Sequence, residues 1–180
     1  MMFLNSDLKV VAKNSFSKML LTMFCDPGYS AVRRYRLAHT LYKRFNLRVW
    51  PRLLCYWNQI DYSVDIDYRA DIGEAFQIYH ATAGGVAIGC NVKIGNNVSV
   101  HQGVTIGGNG EKKRLLDNGE LITQPIIEDN VQIMTGVTII GPVIIGANCI
   151  IGAGSVILKD IPRDSVVFSK SEIIVKKRKI

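Results

Sequence analysis

Three imidazoles are present in this 180-residue chain, at His39, His80 and His101. His80 stands in the apolar, glycine-rich run FQIYHATAGGVAIG, residues 76–89. A histidine there suggests proton transfer. A hydroxyl ionises far above pH 7, so it attacks a carbonyl poorly until a base removes its proton. Imidazole, with an ordinary pKa of about 6.5, suits that task near neutrality. Nearby glycine-rich backbone can supply N–H donors to a developing oxyanion. The residue alone leaves a second reading open, that of a satisfied structural histidine in an apolar repeat. His101, just before QGVTIGG, reads as lining or shaping a site, and His39 falls in a helical pattern and reads as structural.

The elements that must position His80 are written in a period of six. Ile66, Ile72 and Ile78 form one series. A second runs Ile88, Ile94, Val100, Ile106, and a third runs from Ile127 through Ile133, Ile139, Ile145 and Ile151 to Ile157. Helices repeat near 3.6 residues and half-buried strands near 2, so six fits neither alone. It fits hexapeptide units, each a flat strand and a corner, three of which close a coil of about eighteen residues. The β-branched side chains point inward and stack from coil to coil. Asn91, Asn96, Asn97, Gly89 and Gly95 are expected at corners, where the backbone often needs positive φ. The fold class expected is mainly β, a parallel β-helix with an α-helical N-terminal cap.

Two interruptions break the count. The spacing from Ile78 to Ile88 is four residues longer than the repeat, and His80 lies inside it. The second runs from 107 to 124, GGNGEKKRLLDNGELITQ, and reads as a loop thrown out of the coil, a frequent carrier of function. Before residue 60 the pattern is helical: one stretch over 8–24, the breaker CDPG, a second over 29–45, and a third after Pro51, which is expected to divide them. The expected organisation is a helical cap over 1–60, the coil over 61–167 and a basic tail over 168–180.

Composition bounds the partners. Hydrophobic residues make up 48% of the chain, enough for a core. No apolar run reaches the roughly 20 residues of a membrane span, and the N-terminus lacks the pattern of a secretory signal, so a cytoplasmic protein is expected. Cys25, Cys55, Cys90 and Cys149 form no CxxC pair, which argues against structural zinc and a disulfide framework. Of the net charge of +7, much falls on Arg33, Arg34, Arg36, Lys43, Arg44, Arg48 and Arg52, with no acidic residue between 27 and 60. No nucleic-acid motif accompanies it. The reading is a solvated helix face, or peripheral attraction to an inner membrane face or acidic polymer. Zinc hydration chemistry of the γ carbonic anhydrase type would need three histidines on one metal, and only His80 and His101 lie in the repeat, so no metal is expected.

DYSVDIDYRADIGEAFQIYHATAGGVAIGCNVKIGNNVSVHQGVTIGG, with the later GAGSVILKDIP, resembles the serine acetyltransferase family of hexapeptide-repeat acyltransferases. It also resembles the short colanic-acid-type exopolysaccharide acetyltransferases. The resemblance runs from about Tyr35 to Val167. It implies a left-handed β-helix, a homotrimer with acetyl-CoA bound between neighbours, and direct transfer of acetyl to a hydroxyl. It places His80 as general base and Asp65, fifteen residues earlier, as its orienter. It assigns coenzyme A contacts to Gly107, Gly108, Thr135 and Ala153.

Departures from the serine pattern direct the acceptor reading. Serine-specific members carry Arg-His-Pro after the loop, where this chain has Thr123, Gln124 and Pro125. They carry aspartate before the catalytic histidine, where this chain has Tyr79. A zwitterion leaving water needs charged partners. Tyr79, His101 and Gln124 therefore read as contacts to a sugar or exopolysaccharide precursor, with serine as the alternative acceptor. The tail VVFSKSEIIVKK points the same way. The stretch from His80 to VTIGG is also about two residues longer than in the serine family, by that same resemblance.

Overall fold

The computed structural model describes residues 4–12, 16–110, 112–117 and 119–169. The end of the basic tail, KKRKI, lies outside them. Four helices come first: α1 (Leu4–Ala12), α2 (Phe16–Cys25), α3 (Pro27–Phe45) and α4 (Val49–Tyr62). The stretch read as one helix over 8–24 is thus two. α3 starts where the sequence prescribes. Asp26 caps it, accepting from the Tyr29 N–H at 2.7 Å, and Pro27 takes the first helical position, where its missing N–H has no intrahelical partner to lose. The division expected at Pro51 is made elsewhere. α3 ends on Asn46, left-handed at φ 50°, whose N–H donates to the Tyr42 carbonyl at 2.9 Å. Pro51 lies in the first turn of α4, where proline is tolerated.

From Val64 the chain builds three parallel sheets and visits them in rotation. The first face holds β1 (Val64–Ile66), β4 (Val86–Ile88), β7 (Val104–Gly107), β12 (Thr138–Ile140) and β15 (Val156–Ile157). The second holds β2 (Asp71–Ile72), β5 (Lys93–Ile94), β10 (Ile126–Ile127) and β13 (Ile144–Ile145). The third holds β3 (Gln77–Ile78), β6 (Ser99–Val100), β11 (Gln132–Ile133), β14 (Ile150–Ile151) and β16 (Val166–Val167). β8 (Arg114–Leu115) and β9 (Leu121–Ile122) form an antiparallel hairpin within the long insertion.

The register explains the interruptions. Ile66 pairs with Ile88, Ile88 with Ile106, Ile106 with Ile139 and Ile139 with Ile157. The steps are 22, 18, 33 and 18 positions. Eighteen is the bare coil; the first step carries four more residues and the third carries fifteen more. Every hexad position is buried, from Ile66 to Ile157, and these side chains form a continuous core. Each Ile or Val so buried contributes roughly 1.5–3 kcal/mol.

One corner is tied by a ladder of amides. Asn97 donates to Asn130 at 2.9 Å, Asn130 to Asn148 at 3.1 Å, and Asn148 to Asp164 at 2.7 Å. All four residues are left-handed, with φ between 54° and 60°. Of the residues expected to need positive φ, Asn91 and Asn97 have it, whereas Gly89, Gly95 and Asn96 do not. Asn96 instead bonds across coils, accepting from the Glu74 N–H at 2.9 Å. Gly95 is required by space, since a Cβ would strike the Asp129 backbone N at 2.9 Å.

The helices brace the first coil. Buried Arg36 of α3 pairs with buried Asp7 of α1 at 3.0 Å and donates to the carbonyls of Ile72 and Gly73. Asp7 in turn accepts from the Phe76 N–H at 3.0 Å. The chain entering β3, and so the approach to His80, is held from both sides.

Candidate functional site

β3 ends at Ile78, and the four extra residues of the first coil follow. Tyr79 still keeps register, its N–H donating to the Val100 carbonyl at 2.8 Å. His80 then turns left-handed, φ 55° and ψ 42°, ahead of a single 3-10 turn at Ala81–Ala83. Gly85 rejoins the coil at φ 74°, its carbonyl accepting from Gly103 N–H. Residues 80–84 therefore bulge opposite one residue, Gln102. A non-glycine residue at positive φ costs of order 1 kcal/mol, and strain of that kind clusters at functional sites. The bulge leaves His80 exposed at the junction of the third face with the first.

His80 has company there. Its ring centroid lies 6.3 Å from that of His101, which stands one coil on. Tyr79 packs on His101 with centroids 4.9 Å apart and planes at 33°. The Tyr79 hydroxyl donates to Gln77 Oε1 at 2.7 Å. Burial and the neighbouring His80 charge hold the His101 pKa below the ordinary histidine value. Gln102, missed in the sequence, is buried at its Oε1 with no donor among the described residues. Its position opposite the four-residue excess was the available signal. Thr135 and Ala153, both exposed, continue this edge on later coils, where Gly136 N–H bonds Gln102 O at 3.0 Å and Gly154 N–H bonds Thr135 O at 2.9 Å.

Gly107, Gly108 and Gln124 stand elsewhere. They occupy the opposite end of the first face, where it turns toward the second. Gly141 N–H bonds the Gly107 carbonyl at 2.9 Å. A Cβ on Gly108 would lie 2.6 Å from Gln124 Nε2 and 2.8 Å from the Thr123 carbonyl, so glycine is required by that approach. Gln124 Oε1 is buried without a partner among the described residues. At the same corner a groove of 530 Å³ is lined by Asn109, Lys112, Arg114, Gly141, Lys159 and Asp160. Asp160 holds Arg114 at 2.7 and 2.6 Å and accepts the Ile144 N–H at 2.9 Å. Lys112 and Lys159 make no ion pair among the described residues, which leaves two cations for an anionic ligand. The sequence reading missed both.

Asp65 faces outward from the middle of β1, in a crevice with Asp67, Arg69 and Arg52, Tyr56 and Gln59 of α4. No hydrogen bond joins it to His80 among the described residues. Burial, then the neighbouring Asp67, raise its pKa. Arg69 is occupied with Asp67 at 2.8 and 2.7 Å, so Asp65 gains no cation from it. His39 lies apart, with Nδ1 2.9 Å from the Tyr68 carbonyl. Among the described residues no group of three or more His, Cys, Asp or Glu is placed to hold a metal ion.

Residues 124–159 match the bacterial transferase hexapeptide (six repeats) family. A serine acetyltransferase of Bacillus licheniformis is 38% identical over 169 residues, covering 91% of this chain and 72% of its own length. One of Synechococcus elongatus is 36% identical over 148 residues, covering 82% of this chain and 57% of its own. The chain thus spans just over half to about seven-tenths of these relatives. In structure it is similar to the Neisseria gonorrhoeae serine acetyltransferase solved with serine, at TM-score 0.80 and 29% identity, over 94% of this chain and 66% of that one. It is also similar to the Brucella abortus serine acetyltransferase solved with coenzyme A, at TM-score 0.76 and 27% identity, over 93% and 65%.

These relatives overturn the sugar acceptor expected from the sequence and favour the serine alternative; they lend no support to the resemblance to colanic-acid-type enzymes. The two departures stand at different corners of one chain. Tyr79 is exposed, with its ring packed on His101 and its hydroxyl bonded to Gln77. Gln124 packs on Gly108, one corner away from His80.

Proposed function

The chain belongs to the serine acetyltransferase family, and on that premise we propose that it transfers acetyl from acetyl-CoA to the hydroxyl of serine. The observation that carries the reading is the bulge at residues 80–84, which puts an exposed imidazole beside His101 at the head of the Gln102–Thr135–Ala153 edge. Acetyl-CoA would supply an activated acetyl thioester. Lys112 and Lys159 fit its phosphates, while Thr135, Ala153 and the Gly107–Gly108 pair fit the remainder of the molecule. His80 would take the hydroxyl proton as that oxygen bonds to the thioester carbonyl, and would return it to the departing sulfur. Asp65 would hold the imidazole once acceptor and neighbouring chain complete the site.

The corners support a shared assembly. His80, Thr135 and Ala153 lie at one end of the first face; Gly107, Gly108 and the lysine groove lie at the other. One ligand touching both sets is best served by two chains, the first corner of one copy meeting the second corner of the next. Repeated around a closed ring, that contact makes the trimer proposed here, built of left-handed coils. Four free cysteines fit a cytoplasmic setting. The test is thiol release from acetyl-CoA by the purified chain. Release that depends on L-serine supports the reading; release with no dependence on serine, or none at all, refutes it.

A further inference from the structure

The outer face of α4 is apolar. Val49, Trp50, Leu53, Tyr56, Trp57 and Ile60 are all exposed, Trp50 to 60% and Ile60 to 61%. At about 100° per residue they share about 120° of the helix, on the side opposite buried Asn58. Asn58 marks the packed side, donating to the Ala31 carbonyl of α3 at 3.1 Å. A surface helix ordinarily buries one stripe and wets the other. α4 is packed on one side and apolar on the other, so its outer stripe calls for cover.

Charge identifies the cover. Arg48 just before α4, Arg52 on it, and Arg33, Lys43 and Arg44 in α3 are exposed, and none makes an ion pair among the described residues. No acidic side chain occurs between residues 27 and 60, and Asp61 just beyond is taken by Arg34 at 2.7 Å. Two copies docked through this face would set cation against cation, with no unpaired acid on either helix among the described residues to relieve them. A groove of 490 Å³ beside it, between α3 and α4, adds apolar lining from Leu37, Phe45 and Leu54 among Arg33 and Arg44. Apolar surface interleaved with indole, phenol and guanidinium matches the boundary of an anionic bilayer. There aromatic rings sit at headgroup depth and arginine stems extend their charge to the phosphates. Among the described residues no helix is long and apolar enough to cross a membrane.

We propose that α4 and the outer surface of α3 dock this protein peripherally on an anionic phospholipid bilayer. The contact leaves the His80 corner untouched, although Arg52 and Tyr56 also line the crevice of Asp65. Trp50 and Trp57 are the two tryptophans of the chain, so intrinsic fluorescence reads this face directly.

The full chain is mixed with phosphatidylcholine vesicles, with or without phosphatidylglycerol, and followed by tryptophan emission and co-sedimentation. The expected result is a blue shift and sedimentation with the anionic vesicles, reversed by salt. Leu53→Gln with Trp57→Gln and Ile60→Gln should weaken this roughly tenfold or more, with Trp50 kept as reporter. Should that variant fail to fold, the surface pair Arg48→Gln and Arg52→Gln decides, and must also weaken anionic binding. No binding by the wild type, equal binding to neutral vesicles, or unchanged binding by the variants overturns the proposal. So does a triple variant that folds but falls to a smaller assembly by light scattering, which would make the face a contact between copies.

Discussion

Gly28, in the first turn of α3, touches the carbonyl oxygen of Ile78, the last residue of β3. A Cβ at Gly28 would lie deep inside the contact radius of that oxygen, and this is backbone that cannot rotate away. Ile78 stands two residues before His80. Gly28→Ala must therefore push the helix off the coil or shift the strand that carries the imidazole. Overpacking of this kind costs about 1–3 kcal/mol. We predict a lower unfolding midpoint together with a fall in kcat larger than any rise in KM. Unchanged values for both would show that the helix end does not set the site.

The proximity of His80 and His101 makes a pH prediction. Burial, then the charge on His80, depress the His101 pKa. A base with a depressed folded pKa binds fewer protons folded than unfolded. Its contribution to stability is present above the ordinary histidine value of 6.5 and is lost as pH falls through the folded value. Nitrogen-15 NMR titration should find His101 below the ordinary value, with a smaller shift in His80→Gln. An undepressed His101 in the wild type would contradict the pairing.

If the site is shared between copies, defective chains should rescue one another. His80→Ala removes the base at one corner, and Lys112→Glu with Lys159→Glu reverses the charge of the groove at the other. Each variant alone should be nearly inactive. Refolded together in equal amounts, they should restore about a quarter of wild-type activity, since that share of contacts in a closed ring receives both intact corners. No recovery in trimers shown by mass to be mixed would place both corners in one chain's site.

The amide ladder makes a stability prediction. Asn130 sits at φ 59° and bonds Asn97 and Asn148. Asn130→Ala loses both bonds and leaves an L residue left-handed, costing about 1–3 kcal/mol. Asn130→Gly loses the bonds but keeps the conformation and should cost less. Urea unfolding of the two variants tests the order; an alanine variant as stable as the glycine one would remove the conformational part of the argument.

Much of this architecture was legible because its periods are numbers. The hexad from Ile127 to Ile157 sets the core, and the excess of four between Ile78 and Ile88 reappears as the 22-residue step that bulges at His80. The helix break was misplaced at Pro51 because a proline in a first turn costs nothing, while Asn46 ends α3 by its left-handed conformation, which composition does not announce. The linear order also hides which corner a residue occupies. Gln124 and Tyr79, both expected to contact the acceptor, stand at opposite ends of a face within one chain. Asp65, fifteen positions from His80, lines a crevice with Arg52, Tyr56 and Gln59 of α4, a neighbourhood its position in the sequence does not announce. The lysine groove was illegible because the hairpin that brings Lys112 to Lys159 carries no repeat.

The central claim is that His80 removes the acceptor proton. It is tested most directly by turnover of acetyl-CoA with L-serine in wild-type and His80→Ala chains of equal assembly state and unfolding midpoint. Loss of the general base should lower kcat roughly 100- to 10,000-fold with the fold intact. Turnover by His80→Ala near that of the wild type would show that the imidazole at this corner is not the base.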